Sequence, residues 1–431
     1  METSRLIDVS QENKVAVVVG VQLENDPSQV NDDLDELESL LETLGIRTEG
    51  RVVQKRSRLS SSHLLGKGKV EEIKEIAEEA HVGLIVFDHP LTGPQVRNLE
   101  KLIGRQVLDR SGVILDIFAK HAKTNQAKTQ VEIAQLEYLL PRLSGAWTHF
   151  QRQAGGGVRA RGMGEKQIEI DRRRARERIA RLQKRLEGIR KERETQRKAR
   201  RNEINVAIVG YTNSGKTTIM SGLTRATTEG KDELFATLDA NIRTIDPTTR
   251  PKILLTDTVG FIRNLPHSLV DSFKSTLEEV VEADLLLHVV DVSHPNYLAQ
   301  METTEQVLKE IGGGEIPVIL VFNKIDLVNE QFLTRILQKN YPGSITVSAY
   351  NLKDMVALKK HLFEYFESKF RQVDLIVTAN DRNTLSQIYN TCIVIAADYE
   401  TEGQVHFKVR AANHTLAKLA KFIIPDAVIV H

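Results

Sequence analysis

The chain has 431 residues, of which 41% are hydrophobic and 27% charged, a size for two to four domains of ~100–200 residues and a composition that excludes a disordered, collagen-like or small disulfide-bonded chain. Its net charge of +1 conceals an asymmetry: residues 142–201 hold 20 Lys+Arg against 7 Asp+Glu, and the remainder 39 against 51. A basic block in an otherwise acidic chain points to a polyanionic partner at one place only.

No apolar run approaches the ~18–20 residues that cross a bilayer. Met1–Lys14 lacks the apolar stretch of a signal peptide, so a cytoplasmic protein is expected. The single cysteine, Cys392, excludes an intrachain disulfide and a cysteine metal cluster, and is read as a buried thiol.

Residues 1–122 read as a small α/β domain. Val15–Val21 is a β-branched run of strand type, and Asp32–Leu44 is charged and periodic as in a helix. Val70–Ala80 and Val96–Ile103 predict helices, Leu84–Phe87 a buried strand, and Val107–Leu108 one more short strand. Alternation of this kind predicts a largely parallel sheet.

Residues 123–201 read as two long helices joined by a basic loop. Ile133, Leu136, Leu140 and Leu143 form one apolar stripe, and Ala175, Ile179, Leu182, Leu186 and Ile189 another, both at coiled-coil spacing. Such stripes can pack as an antiparallel hairpin. The stretch between them, Ser144–Gln167, holds six glycines with Trp147, Phe150, Arg152, Arg159 and Arg161. Residues 202–369 alternate strands and helices again, with strands expected at Val206–Val209, Ile253–Leu255, Leu285–Val290, Val318–Phe322 and Ile345–Val347. Residues 370–431 read as a small α/β unit, with strands near Leu375–Val377, Ile393–Ala396 and Val405–Val409 and a helix near Leu416–Phe422.

The chemistry lies in the third segment. Gly210, Tyr211, Thr212, Asn213, Ser214, Gly215, Lys216 and Thr217 match G-x-x-x-x-G-K-[ST] between a strand and a helical pattern, with Thr218 following. Glycines let backbone N–H groups turn inward around phosphate oxygens, and the helix start adds its positive dipole end. Lys216 is the expected cation at the β/γ-phosphates, and Thr217 the expected hydroxyl on Mg²⁺. Asp257 follows a strand and can hold the Mg²⁺ shell. Gly260, three residues on, can give its N–H to a γ-phosphate. Asn323, Lys324 and Asp326 follow the next strand but one. An Asp carboxylate accepts from guanine N1–H and N2–H₂, an edge adenine lacks, so GTP is expected over ATP. Ser348 and Ala349 can back guanine O6 through a backbone N–H.

Three positions carry alternatives. Thr237 is a candidate switch threonine that completes Mg²⁺ coordination only with a γ-phosphate present, but Thr244, Thr248 and Thr249 lie in the same stretch. Asn213 can help hold a monovalent cation such as K⁺ or can simply stabilise the loop. Phe261 stands where many GTPases place a water-orienting Gln. A phenyl ring neither orients nor deprotonates water, so slow hydrolysis by the isolated chain is expected, with a partner supplying the acceleration. Lys216, Thr237 and Gly260 are the residues expected to act on the γ-phosphate.

These residues together resemble the HflX family of translation GTPases. Three stretches carry the resemblance: Val209–Thr218, Leu255–His267, and Gly156–Arg173 in the basic tip, which general GTPases lack. The order of segments agrees, so the resemblance covers nearly the whole chain. It implies binding to the large ribosomal subunit, GTP hydrolysis stimulated by it, and splitting of stalled or idle ribosomes in the GTP state. It also implies that the N-terminal domain and hairpin reach ribosomal RNA near the peptidyl transferase centre. Some relatives protect ribosomes from antibiotics bound there. A second, ATP-related activity has been ascribed to the N-terminal domain of some members. Gly66–Lys69 is the one feature here to consider for it, and a helix-start turn is the plainer reading. The chain departs from the family after Thr237-Leu-Asp239. Ala240–Arg243 intervenes before Asp246-Pro-Thr-Thr-Arg250, which leaves the identity of the switch threonine open.

On the residues alone, Arg152, Arg159, Arg161, Arg172, Arg173 and Arg174 are the candidate RNA contacts, since glycines and arginines at a tip suit a folded RNA pocket. The alternative for the helix arginines is a solvated face paired with interspersed acids. A monomer is expected. Other readings of the whole chain are a GTPase of ribosome assembly or tRNA modification, or a GTP-regulated protein scaffold. Steep salt sensitivity separates RNA binding from helix pairing.

Overall fold

The computed structural model describes residues 6–7, 14–24, 30–143, 163–199, 203–224, 234–235, 237–239, 241–263, 277–328, 332–399 and 403–424. Trp147, Phe150, Arg152, Arg159 and Arg161 of the expected tip lie outside them. The chain forms two compact units. The first comprises described residues of 1–191 and 233–239, the second those of 192–232, 240–263 and 275–431.

In the first unit, β1 (Val15–Leu23), β2 (Arg47–Arg56), β3 (Leu84–Phe87) and β4 (Gln106–Asp109) form a parallel sheet in the order β2-β1-β3-β4. β1 and β3 are continuous apolar runs because both faces of a parallel sheet are covered. Helices α1 (Val30–Thr43), α2 (Lys67–Glu79) and α3 (Gly93–Ile103) lie where helical periodicity was expected. β2 was not expected. It is an edge strand of alternating charge, and of its ten residues only Val52 is buried. α4 (Arg110–His121) was also missed. Nine of its twelve residues are buried, so no amphipathic stripe marks it.

α5 (Asn125–Leu139) packs on α4, and its Ala127, Val131, Ile133 and Ala134 are buried. Its far end is fixed by a buried polar knot. Asp109 accepts from Tyr138 Oη at 2.9 Å and from the Arg142 guanidinium at 2.7 Å. A buried carboxylate is tolerable when its oxygens are satisfied in this way. α6 (Met163–Ala199) runs for 37 residues. Its expected stripe is its least exposed face, with Leu182 buried, and Arg178 Nε donates to Glu132 of α5 at 2.8 Å.

In the second unit, six strands lie in the order β10-β9-β8-β5-β7-β6. They are β5 (Ile204–Gly210), β6 (Asn241–Thr244), β7 (Ile253–Asp257), β8 (Leu285–Asp291), β9 (Val318–Asn323) and β10 (Ile345–Thr346). All neighbours are parallel except β6, which runs antiparallel to β7, from Asn241↔Asp257 to Thr244↔Leu254. The residues that depart from the family pattern after position 239 therefore build an edge strand. Helices α7 (Lys216–Thr224), α8 (Tyr297–Glu310), α9 (Leu333–Asn340) and α10 (Leu352–Ser368) complete this α/β layer structure. The register pairs Ile208 with Asp257, Gly210 with Val289 and Asp291 with Asn323. The carboxyl ends of β5, β7, β8 and β9 thus share one edge, where ligands of such sheets bind.

The C-terminal part is an antiparallel sheet, β11 (Arg371–Thr378), β13 (Gln404–Ala411) and β12 (Ile393–Tyr399), with β13 central. Alternate residues Val373, Leu375, Val377, Val405, Phe407 and Val409 face its core with α11 (Arg382–Thr391). Expected helix Leu416–Phe422 is a short α12 (Asn413–Lys418) followed by a 3₁₀ turn. Cys392 is buried there, as expected, and burial pushes its thiol pKa up.

Candidate nucleotide site

The loop between β5 and α7 bends through three residues of positive φ: Gly210 at 147°, Asn213 at 58° and Gly215 at 93°. A Cβ at Gly210 would lie 2.2 Å from the Val289 carbonyl oxygen, and one at Gly215 2.2 Å from Asn323 Nδ2. Both positions therefore exclude any other residue. Asn213 is exposed, and its left-handed backbone is one asparagine tolerates, which accounts for the residue on conformational grounds.

Lys216 opens α7 and its ammonium is buried inside the loop, donating to the carbonyls of Tyr211 (2.6 Å) and Gly210 (3.2 Å). Burial pushes its pKa down to about 8, against the pull of Asp257 and with the push of Lys324. Thr217 Oγ1 donates to Asp257 Oδ2 at 2.8 Å. A hydroxyl and a carboxylate in contact are a donor pair suited to a hard divalent cation that takes its other ligands from phosphate and water. Among the described residues no cluster of three His, Cys, Asp or Glu could hold a metal by itself. The buried hydroxyls of Thr212 and Ser214 find no hydrogen-bond partner among the described residues. Orphaned buried hydroxyls in a loop of this sequence suit phosphate oxygens.

Gly260 closes on this loop. Its Cβ would lie 2.9 Å from Thr212 Cα and 3.0 Å from Lys216 Nζ. The next residue is tied to the loop in both directions: Phe261 N–H donates to the Gly210 carbonyl (3.1 Å), and Thr212 N–H donates to the Phe261 carbonyl (2.8 Å). The Phe261 ring is 2% exposed. A residue pinned and packed in this way does not present a polar group to a γ-phosphate.

The base side is built around Asn323. Its Nδ2 donates to the Ser214 carbonyl at 2.9 Å, and its Oδ1 accepts from Ala349 N–H at 3.0 Å. Asn323 thus ties the phosphate loop to the Ser348-Ala349 loop. Asp326, in a 3₁₀ turn, is exposed and open to a base edge. Two further residues support this side without having been expected. Asp291 at the end of β8 holds Lys324 Nζ at 2.7 Å, and Asp354 accepts from Ser348 N–H at 2.8 Å. Asp291 had a legible signal, a carboxylate at a strand's carboxyl end like Asp257. Asp354 had none beyond its place in the first turn of α10.

The structure brings together the phosphate-loop residues, Asp257, Gly260, Asn323, Lys324, Asp326, Ser348 and Ala349 within the second unit. Thr218, half-buried, follows Thr217 on α7. Thr237 belongs to a segment of the first unit. Arg172, Arg173 and Arg174 lie on α6, and the side chains of Arg173 and Arg174 are 72% and 71% exposed.

Family models match along the chain: a GTP-binding GTPase N-terminal region at residues 31–119, a GTP-binding GTPase middle region at 121–200, and a 50S ribosome-binding GTPase at 205–324. The GTPase HflX of Gluconacetobacter diazotrophicus is 38% identical over 446 residues, covering 94% of this chain and 97% of that protein. The GTPase HflX of Escherichia coli is 40% identical over 399 residues, covering 92% and 93%. A GDP complex of a GTP-binding protein from Sulfolobus solfataricus is 25% identical, with a TM-score of 0.41, covering 81% of this chain and 98% of that one. With identities at this level over nearly its full length, and with a phosphate loop and base loops assembled on one sheet edge, the chain belongs to the HflX family of GTPases, which hydrolyse GTP.

Proposed function

We propose that this GTPase is a translation factor that binds the large ribosomal subunit and, in the GTP state, splits or rescues stalled or idle ribosomes, including antibiotic-stalled ones. The observation that carries the reading is the net +13 of residues 142–201, a salt-sensitive anchor for a dense polyanion. The match of residues 205–324 to a 50S ribosome-binding GTPase supports it. Arg172, Arg173 and Arg174 take RNA phosphates in this reading, with Arg152, Arg159 and Arg161 reaching RNA near the peptidyl transferase centre. Thr217 and Asp257 would hold Mg²⁺, which would supply positive charge against the phosphates, and Thr237 would join them in the GTP state. Asn213, whose left-handed backbone already accounts for it, would hold K⁺ beside the phosphates if turnover is faster in potassium than in sodium. Lys216 and the Gly260 N–H act on the γ-phosphate. The protein works as a monomer in the cytoplasm, and no described helix is long and apolar enough to cross a membrane.

The buried Phe261 leaves no group of that residue to orient water, so hydrolysis by the isolated chain is slow and the ribosome supplies what is lacking. The test is GTP turnover with and without purified large subunits, at about 50 and 200 mM salt. Strong stimulation that fades at the higher salt is expected. Bound GTP with no stimulation at either salt would discard the ribosome and point to tRNA or protein partners.

A further inference from the structure

The loop that joins β10 to α10 is held at Ser348 by both of that residue's backbone groups. On the strand side, Val347 is buried and its N–H donates to the Phe322 carbonyl at 2.8 Å. On the helix side, Asn351 N–H donates to the Ser348 carbonyl at 2.9 Å, and Asp354 Oδ2 accepts from Ser348 N–H at 2.8 Å. Asp354 stands three residues after the N-cap Asn351, a position from which a side chain commonly turns back to the N-cap's own N–H. Here that N–H is taken by the Ser348 carbonyl, and Asn351 Oδ1 already caps α10 by accepting from Lys353 N–H at 3.0 Å. The helix start is thus capped without Asp354, whose carboxylate reaches past the N-cap to grip the loop. The chain then turns sharply outward, from Ser348 at 6% exposed to Tyr350 at 83%.

We propose that Asp354 is a specificity-determining residue of the nucleotide site, a positioning residue that acts on guanine O6 through Ser348. With the Ser348 N–H spent on Asp354, contact with O6 falls to the N–H groups that follow, those of Ala349 and Tyr350. The Ala349 N–H is turned to the base side, where Asn323 Oδ1 accepts it at 3.0 Å. It shares one planar trans peptide with the Ser348 carbonyl and points the opposite way, so whatever fixes Ser348 aims the donor that follows. Asn351 holds one side of Ser348 and Asp354 the other. Removing the Asp354 carboxylate strands the N–H of a buried residue and lets that peptide tilt. Adenine carries an amino group where guanine carries O6, so an aimed donor here favours guanine independently of Asp326, which faces N1–H and N2–H₂.

The inference rests on the Ser348-Ala349 loop meeting guanine O6, and the test separates the two. Affinities of the full chain for GDP, 6-thio-GDP and inosine diphosphate are measured by calorimetry. The thio analogue keeps N1–H and N2–H₂ for Asp326 but puts a weakly accepting sulfur in place of O6, whereas inosine diphosphate keeps O6 and lacks the 2-amino group. The native chain should prefer GDP to 6-thio-GDP by about tenfold. In Asp354→Ala, affinity for GDP and for inosine diphosphate should fall about tenfold, and that for 6-thio-GDP by no more than about twofold. Asp354→Asn keeps an oxygen acceptor and should retain most of the preference. A chain that is merely less well folded loses all three nucleotides alike, and that result overturns the proposal. So does a full preference for GDP in Asp354→Ala. Equal binding of GDP and 6-thio-GDP by the native chain would remove the O6 contact itself, and the proposal with it.

Discussion

At the scale of single residues, the nucleotide site was legible because its chemistry forces particular side chains. Gly210 and Gly215 admit no Cβ, Lys216 must bring a cation, and Asp326 must face a base edge open to solvent. Asn323 shows where such reading stops. Its motif signals a base contact, whereas its amide here links two loops, an arrangement visible only in three dimensions. Lys216 also makes the site sensitive to alkali. In the free protein its pKa is pushed down to about 8 by burial, and bound triphosphate raises it again. Below pH 8 the ammonium is already charged, so affinity for GTP is flat. Above pH 8 binding must take up a proton, and affinity falls toward tenfold per pH unit. Calorimetric titrations in buffers of different ionisation enthalpy should find little proton uptake at pH 7 and close to one proton at pH 9. No uptake at pH 9 would contradict this picture of the loop.

At the scale of elements, strands with continuous apolar runs appeared where expected, and those defined by their neighbours did not. β2 presents charges along an edge, and β6 is a four-residue strand with one apolar residue, Ile242, paired to β7. α4 is buried almost all round, so its helical period has no polar face to reveal it. The position of Asp239 was illegible for a related reason, since its carboxylate accepts from the N–H of Thr124, 115 residues away, and so leaves no local pattern. Strand β8 carries a consequence for stability. His288 is 1% exposed on it, and burial, aided by the Lys216 cation, lowers its pKa to about 4. The unfolded chain takes a proton near pH 6.5 and the folded one near 4. The stability is complete above pH 6.5 and is lost as pH falls through that window, by up to about 3 kcal/mol. Urea denaturation of the second unit at pH 6.5, 5.5 and 4.5 should show this slope in the native chain and a shallower one in His288→Asn. Equal slopes would place the acid sensitivity elsewhere.

At the scale of the whole molecule, the GTP site and the basic helix answer to different partners and should be separable. All the phosphate-loop and base-loop contacts described lie within the second unit. Arg172, Arg173 and Arg174 lie on α6 in the first unit, and the ion pairs of Arg173 with Glu177 and Arg174 with Asp171 are long, 3.8 Å each. The Arg173–Glu177 pair is exposed on both sides and at that distance contributes little, so Arg173 exchanges its acid for a phosphate at small cost. If each neutralises one RNA phosphate, the triple change to alanine releases about three fewer counterions. The slope of log affinity for the large subunit against log salt then becomes shallower by roughly 2 to 3. GTP affinity and basal turnover should stay as they were, because no arginine of the three belongs to the nucleotide site. A shallower slope with unchanged GTP binding places these residues on RNA. An unchanged slope assigns them to the helix face alone, and the electrostatic anchor must then come from the other basic residues of 142–201.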